Sequence, residues 1–256
     1  MDVSDYIKFV KAEGESFASA AEQGELNVEI AACPGWDMRE MVRHLGLIHL
    51  WAAANVANPQ QDVIQDTNDV TEFARYWPTL AAWPEDADLT LWYRNTHANL
   101  VTVLENAPLD VECATFLLAA SPLAMWTRRQ ASEIAMHRFD AEMSHGITSQ
   151  FEPQFANDML DELLSSFVPR VRVPEMENSK TIHIHAEDTD EHWYLTVGPE
   201  RARTSRQGDK ADLTLTATAA DLYLLLWNRT PNSSVKMTGD TELMGTWHGN
   251  FRVRWS

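Results

Sequence analysis

Arg128-Arg129-Gln130-Ala131-Ser132-Glu133-Ile134-Ala135-Met136-His137-Arg138-Phe139-Asp140 is the stretch that decides how this chain is read. It contains no Pro or Gly and is rich in Ala, Met, Glu, Gln and Arg, so it predicts helix. At helical spacing Glu133 and His137 stand at i and i+4, and Asp140 lies one turn further along the same stripe. All three can bind a metal or move a proton. Helices offer solvated Glu–His pairs in large numbers, however, so the pair does not make a site by itself; a third ligand and a pocket must come from elsewhere.

The helix that carries this stretch is expected over residues 123–145, ending at Gly146. Upstream, apolar residues Ile7, Val10, Phe17 and Ala21 recur among charges and predict a first helix over 4–22. Pro34-Gly35 breaks the chain. Asp37 followed by Glu40 then gives the N-cap and N3 positions of a capping box, opening a second helix that runs to about residue 54. Its apolar face holds Met41, Leu45, Ile48 and Ala52, with His44 at the edge of that face. Residues 56–88, with Pro59, Pro78 and Pro84, predict loop and short helix able to cover a site. A third helix is expected over 89–106, and 111–118 reads as strand or loop. Four long helices imply an up-and-down bundle, whose metal and cofactor sites form between facing helices. In such a bundle His44 can meet Glu133 and His137. Two imidazoles and a carboxylate suit zinc with an open fourth position, where a bound water or thiol becomes a nucleophile near neutral pH. Asp140 is then placed to orient His137, unless it pairs instead with Arg138 or Arg43.

A further helix is expected over 153–167, and Pro169 and Pro174 mark a linker. Beyond it the hydrophobic period changes from 3.6 to 2. Strands are expected over 181–186, 192–197, 212–216 and 235–238, with helices over 219–227 and from Gly239-Asp240 to Trp247. The expected division is a helical bundle over 1–170 and a small α+β domain over 175–256. His183, His185 and Glu187 share one face of their strand, but Ile182, Ile184 and Ala186 form the buried face, so the polar set is assigned to the solvent side. His49, His97, His145, His192 and His248 show no partner pattern and read as surface or packed residues. Cys33 precedes Pro34-Gly35 without a basic neighbour to lower its pKa and reads as a bystander.

The composition narrows the functions further. The chain has 256 residues, 45% of them hydrophobic, and ten Trp supply apolar area for cores and pockets. A net charge of -18 argues against nucleic acid and against an anionic membrane surface. No signal peptide or membrane-length apolar run is present, and two isolated cysteines suit a reduced cytoplasm. Glycine-rich phosphate loops and a serine-nucleophile elbow are also missing.

The motifs taken together resemble a known family. The run from Cys33 through Trp36 to His44-Leu45-Gly46, the run from Glu133 to Asp140, and the runs 211–216 and 220–229 are similar, in order, to the mycothiol-dependent maleylpyruvate isomerase family. That resemblance implies a DinB-like bundle followed by a sterol-carrier-like domain. It implies zinc, or another divalent metal, on His44, Glu133 and His137, and mycothiol as the thiol cosubstrate. In that chemistry the thiolate adds to an activated double bond of a small electrophile, rotation follows, and elimination changes cis to trans; other members transfer the thiol. Arg229 falls where the family offers an arginine able to clamp a carboxylate, although it also reads as a charge at a helix C-terminus. The competing readings are a non-catalytic binder of an apolar ligand and a metal-dependent hydrolase of thiol conjugates. Oligomeric state is not encoded in any motif.

Overall fold

The structure is a computed structural model that describes residues 1–58, 62–65, 68–170, 173 and 175–251; Pro59 and Pro174 lie outside the described residues. It divides into two compact units, Met1–Ser149 and Gln150–Ser256.

The first unit is built on four long helices: α1 (Val3–Ala21), α2 (Met38–Ala57), α3 (Leu89–Asn106) and α4 (Pro122–Ser144). Three of them start at caps that the sequence provides. Asp2 and Asp5 form a reciprocal capping box on α1, Asp37 and Glu40 form another on α2, and Ser121 with Pro122 opens α4. At the other end of α4, Gly146 takes φ +68°, the left-handed conformation that closes a helix. Helix α1 packs on α3 and α4, and α2 packs on the same two partners. Helices α1 and α2, and likewise α3 and α4, therefore lie across the bundle from each other, joined by the long connections 22–37 and 107–121. This arrangement sets α2 beside α4 and brings His44 opposite Glu133. Gly46 permits the close approach of α2 and α3, because a Cβ there would lie 2.1 Å from the Trp92 ring.

Tryptophans fasten the loops to the bundle. Trp51 Nε1 donates to the Ile64 carbonyl at 2.6 Å, Trp92 Nε1 to Leu80 at 2.7 Å and Trp126 Nε1 to Ala114 at 3.0 Å. Each buries a large apolar ring and satisfies a loop carbonyl that packing would otherwise strip of water. Within 56–88 the described secondary structure is a pair of short 3-10 turns, Val70–Phe73 and Asp86–Asp88, and 111–118 is irregular.

The second unit opens with α5 (Pro153–Glu162), which runs on as a wider π turn over Leu163–Phe167. The helix read over 153–167 thus belongs to this unit and packs on α6 (Ala219–Leu226). The sheet consists of β1 (Lys180–Ala186), β2 (Glu191–Val197), β3 (Arg203–Ser205), β4 (Leu213–Ala217) and β5 (Lys236–Gly239), in the order β3-β2-β1-β4-β5. Only β1 and β4 run parallel among the paired strands; the other pairs are antiparallel. Ile182, Ile184, Trp193, Leu195, Leu213 and Leu215 alternate onto the buried face, as period-2 patterning requires. Helix α7 (Leu243–Asn250) closes the unit, with Trp247 Nε1 donating to the Leu226 carbonyl at 2.9 Å.

Candidate functional site

The local fold that builds the site begins at Cys33-Pro34-Gly35-Trp36. Trp36 N donates to Cys33 O at 2.9 Å, Pro34 stands at the second position, and Gly35 has φ +87°. These are the requirements of a type II turn, in which the third residue must tolerate positive φ. Bonds from Ile30 N to Trp36 O and from Met38 N to Val28 O then hold the turn against the start of α2. The half-buried Trp36 indole comes to rest with its ring centroid 4.9 Å from His44 and 6.5 Å from His137.

Two turns into α2, His44 places Nε2 3.2 Å from Glu133 Oε1 on α4. His137, one turn beyond Glu133, places its own Nε2 3.2 Å from the same oxygen. The ligand-type atoms of His44, Glu133 and His137 lie within 4.8 Å of one another. Tetrahedral coordination with bonds of about 2.0–2.1 Å has edges of about 3.3 Å, so this donor set and its spacing fit a zinc-like cation. Glu133 and His137 are fully enclosed, while the His44 side chain retains 14% exposure and marks the open side of the cluster.

Two further charged residues complete the arrangement. Arg129 Nη2 donates to Glu133 Oε2 at 2.6 Å, and both side chains are buried. One carboxylate oxygen thus answers the guanidinium, and the other is turned toward the imidazoles. Asp140 Oδ2 lies 3.1 Å from His137 Nδ1 and also accepts from the Cys33 thiol at 3.9 Å. Asp140 is buried against His137, and Arg138 bonds Glu13 and Glu142. Cys33, set aside on sequence grounds, sits at the back of the cluster.

Burial opposes the charge on Glu133, but the Arg129 guanidinium, followed by the bonds from His137 and His44, holds its carboxyl well below the usual range. Burial likewise opposes protonation of His137, yet the bonds to Asp140 and Glu133 prevail and raise its pKa. Without a metal these shifts favour a proton on His137, hydrogen-bonded to Glu133 and Asp140. A cation would compete for the same lone pairs, so its binding must release protons.

Arg129 is the residue that sequence reasoning missed. Its signal was present as an Arg–Glu i,i+4 pair, but that spacing reads as a surface bridge until both residues are known to be buried. Arg229, in the second unit, follows the end of α6; its Nη1 donates to the Trp227 carbonyl at 3.0 Å. His49 and His97 are packed in the bundle, their ring centroids 5.4 Å apart, and desolvation lowers the pKa of both. His192 corrects the sequence reading. It has partners after all, in His183 and His185 across the β1–β2 pair.

The sequence profile described as mycothiol maleylpyruvate isomerase N-terminal domain matches residues 10–142, and the one described as the C-terminal domain of the same family matches 154–246. A crystal structure of the mycothiol-dependent maleylpyruvate isomerase is similar at TM-score 0.63 and 12% identity, covering 93% of each chain. A His-to-Ala mutant of that isomerase gives the same values. At this identity the likeness is one of fold. No curated protein sequence matches the chain. Among the described residues, no helix is long and apolar enough to cross a membrane.

Proposed function

The chain belongs to the mycothiol maleylpyruvate isomerase family, and from that premise we propose that it is a metal- and thiol-dependent isomerase of a small electrophile. The observation that carries the proposal is the convergence of His44, Glu133 and His137 around one carboxylate oxygen, with both imidazole nitrogens 3.2 Å away. These three residues are the proposed metal ligands, zinc being the first candidate and mycothiol the thiol. A metal ion bound there supplies a Lewis acid that lowers the pKa of a thiol and so provides a nucleophile near neutral pH.

The protein's own residues have separable tasks. Asp140 accepts from His137 Nδ1, fixing the ring so that Nε2 faces Glu133. Arg129 balances the buried Glu133 charge through Oε2 and leaves Oε1 to the cluster. The Trp36 indole packs beside both imidazoles. In the proposed reaction the thiolate sulfur forms a bond to one alkene carbon, and the π pair moves onto the conjugated carbonyl. Rotation about the resulting single bond follows. The pair then returns and the S–C bond breaks, so the thiol is regenerated and nothing is consumed. Arg229 is the proposed carboxylate-binding group, since a guanidinium holds a carboxylate through two parallel N–H···O bonds. A cytoplasmic location suits both the thiol and the reduced thiols of Cys33 and Cys113. Trp51, Trp92 and Trp126, counted among the tryptophans that suggested an apolar-ligand binder, are engaged in packing and loop anchoring, which favours the enzymatic reading.

Turnover of maleylpyruvate and of a generic electrophile, each with and without mycothiol, tests the proposal. A catalytic thiol requirement is the expected result. Stoichiometric consumption would make the chain a thiol transferase, and release of free thiol from a conjugate would make it a hydrolase. Loss of all turnover dependence on the thiol would overturn the reading.

A further inference from the structure

The half-buried face of the sheet carries a second set of ligand-type side chains. His183 and His185 project from β1 and His192 from β2, where His185 and His192 are direct cross-strand partners. The rings form a stack, with centroids 4.2 Å apart for His185 and His192 and 5.2 Å for His183 and His192. Asp190 belongs to the β1–β2 turn and has φ +54°, a left-handed conformation that Asp tolerates better than most residues. That backbone folds its carboxylate back over the two strands. Oδ1 lies 3.4 Å from His185 Nε2 and 3.7 Å from His192 Nε2.

We propose that His185 Nε2, Asp190 Oδ1 and His192 Nε2 form a second site for a divalent transition-metal ion, with His183 orienting His192. Four observations carry this. The separations of 3.4 and 3.7 Å are too long for good N–H···O bonds. They are close to the edge of about 3.3 Å expected between ligands of a tetrahedral ion. His183 Nε2 stands 3.0 Å from His192 Nδ1, so the nitrogen of His192 turned away from Asp190 is already engaged. A metal-bound imidazole needs that kind of support to fix its tautomer. The turn is also held from behind. Glu187 N donates to Ala217 O at 2.9 Å, Ala219 N to Asp188 Oδ1 at 2.8 Å, and Thr189 Oγ1 to Asn157 Oδ1 at 2.9 Å. Finally, the neighbouring cation Arg206 is answered by Glu191 at 3.1 Å, so its charge is balanced beside the site.

The donor set selects the ion. Two imidazoles and one carboxylate suit Zn(II), Ni(II) or Cu(II), whereas Ca(II) and Mg(II) take oxygen ligands. Asp190 and His192 have side chains 90% and 39% exposed, so the remaining positions face solvent. Such a site would cross-link β1, β2 and their turn.

The test is calorimetric titration of chelator-treated protein with Zn(II). Wild type is expected to bind two equivalents, and His137→Ala and His192→Ala one each. The double variant His137→Ala/His192→Ala is expected to bind none. In the His137→Ala background, His183→Phe keeps an aromatic ring over Tyr194 and should weaken the remaining equivalent by about 10–100-fold. Asp190→Asn in that background should also weaken it while preserving the turn. Should His192→Ala fail to fold, NMR of the histidine rings in the His137→Ala protein replaces it, with the His185 and His192 resonances expected to shift on zinc addition. A His137→Ala protein that binds no zinc, or one whose zinc is unaffected by Asp190→Asn, overturns the second site. Zinc stoichiometry unchanged by His137→Ala overturns the helical site instead, so the two failures are distinguishable.

Discussion

Two histidine clusters in this chain present similar chemistry in opposite surroundings. On α2 and α4, His44 and His137 meet a carboxylate that is sealed from water and balanced by a buried Arg129. On β1 and β2, His185 and His192 meet a carboxylate on a turn, with water on its outer side. The helical cluster must have its charges matched by the protein, because an unpaired buried ion costs several kcal/mol. The sheet cluster needs no such matching, since solvent screens what the neighbours leave unbalanced. The comparison teaches that donor identity and spacing define where a metal can bind, while burial determines how much of the fold depends on the same residues.

The largest expected effect is at the helical cluster. His137→Ala should abolish metal binding there and thiol-dependent turnover with it, as read by metal analysis and the isomerisation assay. Next comes Arg129→Met, which removes a cation and strands Glu133. It should destabilise the protein by about 3–5 kcal/mol in urea unfolding, and a loss below about 1 kcal/mol would mean the site is wetter than the structure shows. Asp140→Asn keeps the shape but weakens the hold on His137. Metal affinity should fall about 10–100-fold, while the zinc count in saturating metal is maintained.

A smaller effect separates neutral buried histidines from paired ones. Desolvation, with His97 adding to it, lowers the pKa of His49, so below pH 6.5 the unfolded chain takes up a proton there that the folded chain refuses. Stability contributed by a neutral His49 is complete above that pH and falls as the solution is acidified. His49→Gln should therefore flatten the acid limb of the stability–pH profile relative to wild type, by at most about 1.4 kcal/mol per pH unit. His137 has the opposite sign in metal-free protein, because its raised pKa gives stability below pH 6.5 that is lost as pH rises through the folded value. The smallest effect belongs to the sheet. Asp190→Asn should change unfolding free energy by no more than about 0.5 kcal/mol in metal-free protein, and a larger loss would erase the contrast between the clusters.

Much of this architecture was legible before the structure. The caps at Asp37/Glu40 and Gly146 and the 3.6 period placed α1–α4, and alternation placed β1, β2 and β4, because those signals are local. The meeting of His44 with Glu133 and His137 followed from a bundle argument together with family resemblance. Other features depend on distant neighbours. Strand β3 spans only Arg203–Ser205 and carries too few residues to show a period. The weight of Arg129 appears only once Glu133 is known to be enclosed. The pairing of His192 with His183 and His185 depends on cross-strand register, which no single strand displays.

The packing of α1 and α2 on α3 and α4, rather than on each other, has a consequence for the order of assembly. While the chain is being synthesised, the first two helices emerge without the surfaces they will bury against. Their partners arrive only with residues 89–144, after long loops have closed, and loop closure must precede the contacts that repay it. The same holds for the candidate site, since His44 is made 89 residues before Glu133. The cluster is therefore a late product of folding, and an N-terminal fragment ending before α4 can neither complete the core nor assemble the cluster.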